Sequence, residues 1–117
     1  MYHGGTYVSL GFSFGKEGEF VYISDVKIIP DKTMEYLLSI KIKILVIDCL
    51  NMDDGIFPHL GLNDCLAIIE KLNPEKCFLT GMCCDIGFHE KADAVVQSRS
   101  FKSSLSYDGM YLDNLCM

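Results

Sequence analysis

The sequence predicts a layered α/β domain. Two observations predict it. Strand-like and helix-like stretches alternate along the chain in the order β-β-α-β-α-β-α-β, and one strand, KIKILVIDCL, turns apolar on both faces towards its end. Alternating strands and helices imply helices packed on a sheet. A strand without a polar face belongs in a sheet interior covered on both sides. The 117 residues suit a single domain over 1–117 and leave no room for a second.

YVSLGFSF (7–14) alternates apolar and polar residues as a strand does, GKEGE is a turn, and EFVYISDV is a second strand, so 7–25 reads as a hairpin. Pro30 interrupts the chain. Asp31 is then expected to cap a helix over about 32–39. After KIKILVIDCL, the stretch NMDDGIFPHLGL is a loop rich in Asp, Gly and Pro. Asn63 or Asp64 should cap a helix running to about Leu72, with Cys65, Leu66, Ile69 and Leu72 on one face. NPEK ends that helix and CFLTG is a short buried strand. MCCDIGFHEKADAVVQSR begins as a loop and becomes a helix near His89, SSLSYDGMYL is the last strand, and DNLCM is a tail. There is no internal repeat, low-complexity segment or linker.

Half of the residues are hydrophobic and 22% are charged, which excludes a disordered chain. Ten Lys and Arg against 16 Asp and Glu argue against binding to a nucleic-acid backbone, which calls for a basic face. No apolar run approaches the ~20 residues of a membrane-spanning helix. The start MYHGGTYVSL lacks a basic region ahead of an apolar stretch, so no secretion leader is expected and the chain is expected in the cytoplasm or nucleus.

Six cysteines stand at 49, 65, 77, 83, 84 and 116. Without a secretory context a disulfide framework is not expected. Cys49, Cys65 and Cys77 lie in apolar runs and read as small buried hydrophobes. The adjacent Cys83 and Cys84 cannot bridge each other without strain, and no CxxC marks a zinc knuckle. A thiol-based metal or redox sensor at Cys83 and Cys84 remains a minor reading.

In α/β sheets, ligands collect beyond the carboxyl ends of the strands. The loops there are those after strand 2 (Ser24, Asp25), strand 3 (Asp48 to His59) and strand 4 (Gly81 to His89). All three histidines, His3, His59 and His89, fall in predicted loops. A lone loop histidine is more often solvated than a ligand; three of three in predicted loops, with an Asp at a strand end, shift that balance somewhat towards a site. Asp25 sits in the apolar context VYISDV, where an unpartnered carboxylate is costly. It needs a metal, a cation or backbone donors, or else caps the next turn together with Ser24. Asp48 ends a buried strand and is placed to bond loop amides. Asp108, before Gly109, reads as a turn residue. No GxGxxG, Walker loop, GxSxG or HExxH is present.

Five ordered blocks, YHGGTYVSLGFSFG, VYISDVKIIP, LVIDCL, PHLGLNDCLAIIEKLNPEKCFLTGM and LSYDGM, spread over about residues 2–112, resemble the metallo-β-lactamase superfamily. The branch they are most similar to is the phosphoribosyl cyclic-phosphate phosphodiesterase type. The resemblance covers only the C-terminal half of that family's domain. It implies half of an αββα sandwich, a mixed sheet with helices on one face, and a dinuclear zinc or manganese site at the sheet edge. By resemblance His3 is a metal ligand, Asp25 bridges the two metals and is a proton acceptor, and His59 assists substrate or proton transfer. Gly81 stands where many relatives carry a histidine. Cys84 aligns with a histidine of eukaryotic members and is a candidate thiolate ligand, with His89 a displaced alternative. The substrate class implied is a small phosphate ester.

The superfamily's HxHxDH pattern, which supplies most of the ligands, does not occur in the sequence. His3, Asp25 and Cys84 are too few for two metals. Paired metals activate water near neutral pH and stabilise charge on phosphoryl oxygens, so these residues alone are expected to be inactive. The chain is expected to be a truncated form of a phosphodiesterase-type hydrolase. The alternative is a non-catalytic remnant or isoform. Half a sandwich also leaves a sheet face and strand edges uncovered, which predicts pairing with a second copy or another chain.

Overall fold

Phe12–Phe14 (β1) and Phe20–Ile23 (β2) pair antiparallel, with Phe12 opposite Tyr22 and Phe14 opposite Phe20. They form the expected hairpin in a computed structural model that describes residues 11–15, 19–24, 28–49, 60–81, 89–100, 102–107 and 110. The remaining elements are α1 (Asp31–Ser39), β3 (Ile44–Asp48), α2 (Leu62–Leu72), β4 (Lys76–Thr80), α3 (His89–Arg99) and β5 (Ser103–Leu105). Among the described residues the sheet is five-stranded in the order β1-β2-β3-β4-β5. β2 to β5 run parallel, so the sheet is mixed.

The topology puts the helices on one side. Strand order follows chain order, and each parallel crossover passes through one helix. Such crossovers are right-handed, so a sheet that always grows in one direction stacks α1, α2 and α3 on the same face. Burial agrees. Leu37 of α1, Leu62, Cys65, Ile69 and Leu72 of α2, and Ala92 and Val96 of α3 share one core cluster. From the sheet it takes Val21 and Ile23, Leu45 and Ile47, Cys77 and Leu79, and Leu105. The register joins these across the strands: Val21, Leu45, Cys77 and Ser103 in one row, and Ile23, Ile47, Leu79 and Leu105 in the next.

The alternate residues form the opposite face. Phe12, Phe14, Phe20, Tyr22, Ile44, Val46 and Phe78 lie there by register. Phe12 and Phe14 are 51% and 53% exposed. Their rings stack with centroids 6.1 Å apart, and Phe14 lies 5.6 Å from the Phe20 ring. Ile44 and Val46 are buried yet stand outside the helix-side cluster. All five residues of β3 are buried, as its unbroken apolar pattern requires.

The helix starts differ from the sequence expectation. α1 is preceded by Pro30 in extended conformation, and Asp31 is the first helical residue with no side-chain cap. Proline suits such an entry because its φ is fixed, and Asp31 then complements the positive end of the helix. α2 starts from Gly61, not from Asn63 or Asp64. Asp64 acts from the third helical position, where its carboxylate accepts the Gly61 N–H at 3.1 Å, half of a capping box. The end of α2 is as expected: Asn73 adopts φ 49° and donates its N–H to the Ile69 carbonyl at 2.7 Å before Pro74. α3 is fastened to β5 by Asp93, whose carboxylate accepts the Leu105 N–H at 2.7 Å and the Gln97 amide at 2.9 Å. Among the described residues no helix is long and apolar enough to cross a membrane.

Candidate functional site

Parallel strands end at a common edge, and here that edge gathers the candidate segments. The carboxyl ends of β2, β3, β4 and β5 lie side by side, with Ile23 opposite Ile47, Asp48 opposite Thr80 and Leu79 opposite Leu105. Asp25 directly follows Ser24 at the end of β2. Residues 50–59, which include His59, follow β3 and lead to the buried Leu60 at the start of α2. Cys83 and Cys84 follow Gly81 at the end of β4. Because β1 is antiparallel to β2, its first residue, Phe12, pairs with Tyr22 near this edge; His3 lies in the stretch before β1, outside the described residues. His89 is the first residue of α3. The side chains of His3, Asp25, His59 and Cys84 lie outside the described residues, as do Cys83, Asp108 and Cys116. The topology brings together the ends of β2, β3 and β4, from which the segments with Asp25, His59 and Cys84 depart.

Two residues at this edge carry a geometric message that the sequence alone did not. Asp48 is 3% exposed and is the one buried charged side chain among the described residues. By alternation it shares the aromatic face with Val46, beside Thr80. Gly81 has φ +75°, the left-handed region that favours glycine. A β-carbon on residue 81 would overlap Asp48 Oδ1. The only sequence signal for this fit is a carboxylate closing an apolar strand. The contact itself joins residues from different strands.

Beneath this edge lies a set of buried thiols. Cys49, Cys65 and Cys77 are buried thiols outside any disulfide, as their apolar contexts predicted. The Cys65 thiol donates to the Asp48 carbonyl at 3.0 Å. Its hydrogen bond with Cys49, burial and the neighbouring Cys49, Cys77 and Asp48 all push the Cys65 thiol upward. Burial pushes Cys77 up to about 12, with Ser103 pulling back through a hydrogen bond and Cys49 adding to the rise. Thiols held protonated are poor nucleophiles and poor ligands, so Cys65 and Cys77 serve the core.

Among the described residues no group of three or more His, Cys, Asp or Glu is arranged to hold a metal. The edge contributes one described carboxylate, Asp48, and the hydroxyls of Ser24, Thr80 and Ser106. Ser106 is itself engaged, its hydroxyl donating to the Leu79 carbonyl at 2.8 Å. The described residues therefore do not by themselves fit a pair of metals. A groove of about 550 Å³ lies elsewhere, between the C-terminal ends of α2 and α3, and is lined by Leu66, Ile69, Asn73, Arg99 and Lys102 among others. Two of its charged groups are engaged: Arg99 bonds Asn63 at 2.9 Å and Lys102 bonds Asn73.

A crystal structure described as that of a new diphosphatase from the PhnP family is similar to this chain, with 28% identity and a TM-score of 0.70 over 81% of the chain. The match takes in 35% of that protein, so the chain spans about a third of its length. No protein-family model matches the sequence, and no curated protein matches it significantly. Together with the mixed sheet and its three helices, the likeness gives a partial metallo-β-lactamase-like fold. It supports that superfamily, whose members use divalent metals.

Proposed function

We propose that this chain carries part of a metal-dependent phosphodiester hydrolase of the metallo-β-lactamase type, of the phosphoribosyl cyclic-phosphate phosphodiesterase-like branch. His3, Asp25 and Cys84 would hold the metal, and His59 would move a proton to or from a small phosphate-ester substrate. Zinc or manganese is the metal, and when bound it supplies water activation and charge stabilisation. The observation that supports this reading is the shared strand-end edge, from which the segments bearing Asp25, His59 and Cys84 depart, taken with the likeness to a diphosphatase. With HxHxDH absent from these residues, the 117 residues by themselves hold metal weakly and do not turn over substrate.

Elemental analysis of the purified chain after exposure to zinc or manganese tests this. Weakly held metal that is lost in Asp25→Ala and Cys84→Ser, with no hydrolysis of bis(p-nitrophenyl) phosphate, is the expected result. Metal binding that ignores both substitutions would sink the ligand assignment. Turnover at a rate above background would overturn the claim of inactivity.

A second reading has its own observation. The half-exposed, stacked Phe12 and Phe14 on the face away from the helices suit a non-catalytic module that pairs with a second copy through that face. Sedimentation velocity showing a mass that does not change with concentration would exclude it.

A further inference from the structure

β5 is the last strand of the sheet among the described residues. An edge strand invites pairing with another chain, because its outer backbone groups belong to no ladder. Nothing in β5 itself discourages that. Ser103–Leu105 contains no charged residue and no proline, two common deterrents on an edge. The protection comes from α3 and the turn that follows it.

Alternate residues of a strand turn their backbone groups towards one neighbour. Cys77 donates its N–H to the Lys102 carbonyl at 3.0 Å, and Ser106 donates its N–H to the Leu79 carbonyl at 2.8 Å. Lys102, Ser104 and Ser106 therefore face β4, and Ser103 and Leu105 turn their N–H groups outward. Both outward donors are already in use. Ser103 donates to the Ser100 carbonyl at 2.9 Å. Leu105 donates to Asp93 Oδ1 at 2.7 Å. The other carboxylate oxygen of Asp93 accepts the Gln97 side-chain amide at 2.9 Å, one helical turn further on, which steadies the group. The Ser100 and Ser103 hydroxyls, 2.8 Å apart, tie the turn that supplies the second acceptor. A strand arriving here finds no donor at either residue, and a ladder needs donors as well as acceptors.

We infer that Asp93 and the Ser100 carbonyl seal the β5 edge against strand addition by a second copy of this chain. A second copy presents the same neutral segment. Two such strands related by a twofold axis can meet antiparallel at Leu105, each N–H bonding the other's carbonyl, once Asp93 no longer holds the donor. The seal is independent of the metal chemistry proposed above.

The test follows amide hydrogen exchange by NMR in wild type, Asp93→Ala and Ile47→Ala, at two protein concentrations about a hundredfold apart so that mass action can act. Sedimentation velocity is run alongside. Ile47→Ala loosens the core without touching the edge, so it controls for general destabilisation. At the lower concentration Leu105 of Asp93→Ala should exchange about tenfold or more faster than in wild type, as loss of a hydrogen bond allows. At the higher concentration its exchange should slow by about threefold or more, with a rise in sedimenting mass, because pairing supplies a new acceptor. Leu105 of wild type and of Ile47→Ala should show no dependence on concentration.

A Leu105 exchange rate that ignores concentration in Asp93→Ala overturns the seal, and so does an equal dependence in Ile47→Ala. If Asp93→Ala does not fold, wild type decides. Ser103 and Leu105 amides protected to within about tenfold of Cys77 support the seal, and either one exchanging faster than that overturns it.

Discussion

At Cys77 the thiol rises from an ordinary 9.0 to about 12 because it is buried against apolar neighbours. The unfolded chain therefore releases this proton earlier than the folded one. Below pH 9 the group makes no difference. Between pH 9 and about 12 the unfolded state binds fewer protons, so stability falls as pH rises. At pH 11 the loss is on the order of 2–3 kcal/mol from this group, and Cys65 acts in the same direction. A melting temperature lower at pH 11 than at pH 8, with a smaller drop in Cys77→Val, is the expected result. An equal drop in both proteins would assign the effect to other groups. Much at this scale was legible beforehand: Cys49, Cys65 and Cys77 read as core because each sits in an apolar run. Gly81 was legible only as a departure from the resembling family. Its closeness to the Asp48 carboxylate depends on the pairing of β3 with β4, which no local pattern encodes.

Among the elements, β3 was the clearest, since ILVI admits no solvated face and every residue of Ile44–Asp48 is buried. Replacing Ile47, fully buried between β2 and β4, by alanine should cost about 2–5 kcal/mol, read as a lower denaturant midpoint at unchanged slope. The helix starts were less legible. Several polar residues near a helix entry can serve as caps, and the choice depends on the angle at which the preceding segment arrives. That angle favours Pro30 and Gly61, leaving Asp64 to act from inside the first turn. α3 shows little apolar patterning beyond Ala92 and Val96, and its position owes much to Asp93. In Asp93→Ala the Leu105 N–H loses its partner, and the cost should be about 1–3 kcal/mol in urea unfolding. A loss within error would mean that water replaces the carboxylate there.

For the molecule as a whole, one face of the sheet is covered by three helices and the other carries a cluster of aromatic rings. The alternating pattern foretold the helices, and the resemblance foretold the face without them. The relative positions of His3, Asp25, His59 and Cys84 were not legible in the same way, since they depend on loop paths between strand ends. The exposed halves of Phe12 and Phe14 amount to roughly 200 Å², against roughly 800 Å² per partner for a stable interface. Pairing through these rings alone is therefore weak. Phe12→Ser combined with Phe14→Ser should abolish any concentration-dependent increase in sedimenting mass while leaving the melting temperature nearly unchanged. The strand order has a further consequence, for biosynthesis. Among the described residues every strand pairs with the one made just before it, so a nascent polypeptide can assemble these five rung by rung as it leaves the ribosome. Among these five, none has to be threaded between two that are already zipped together.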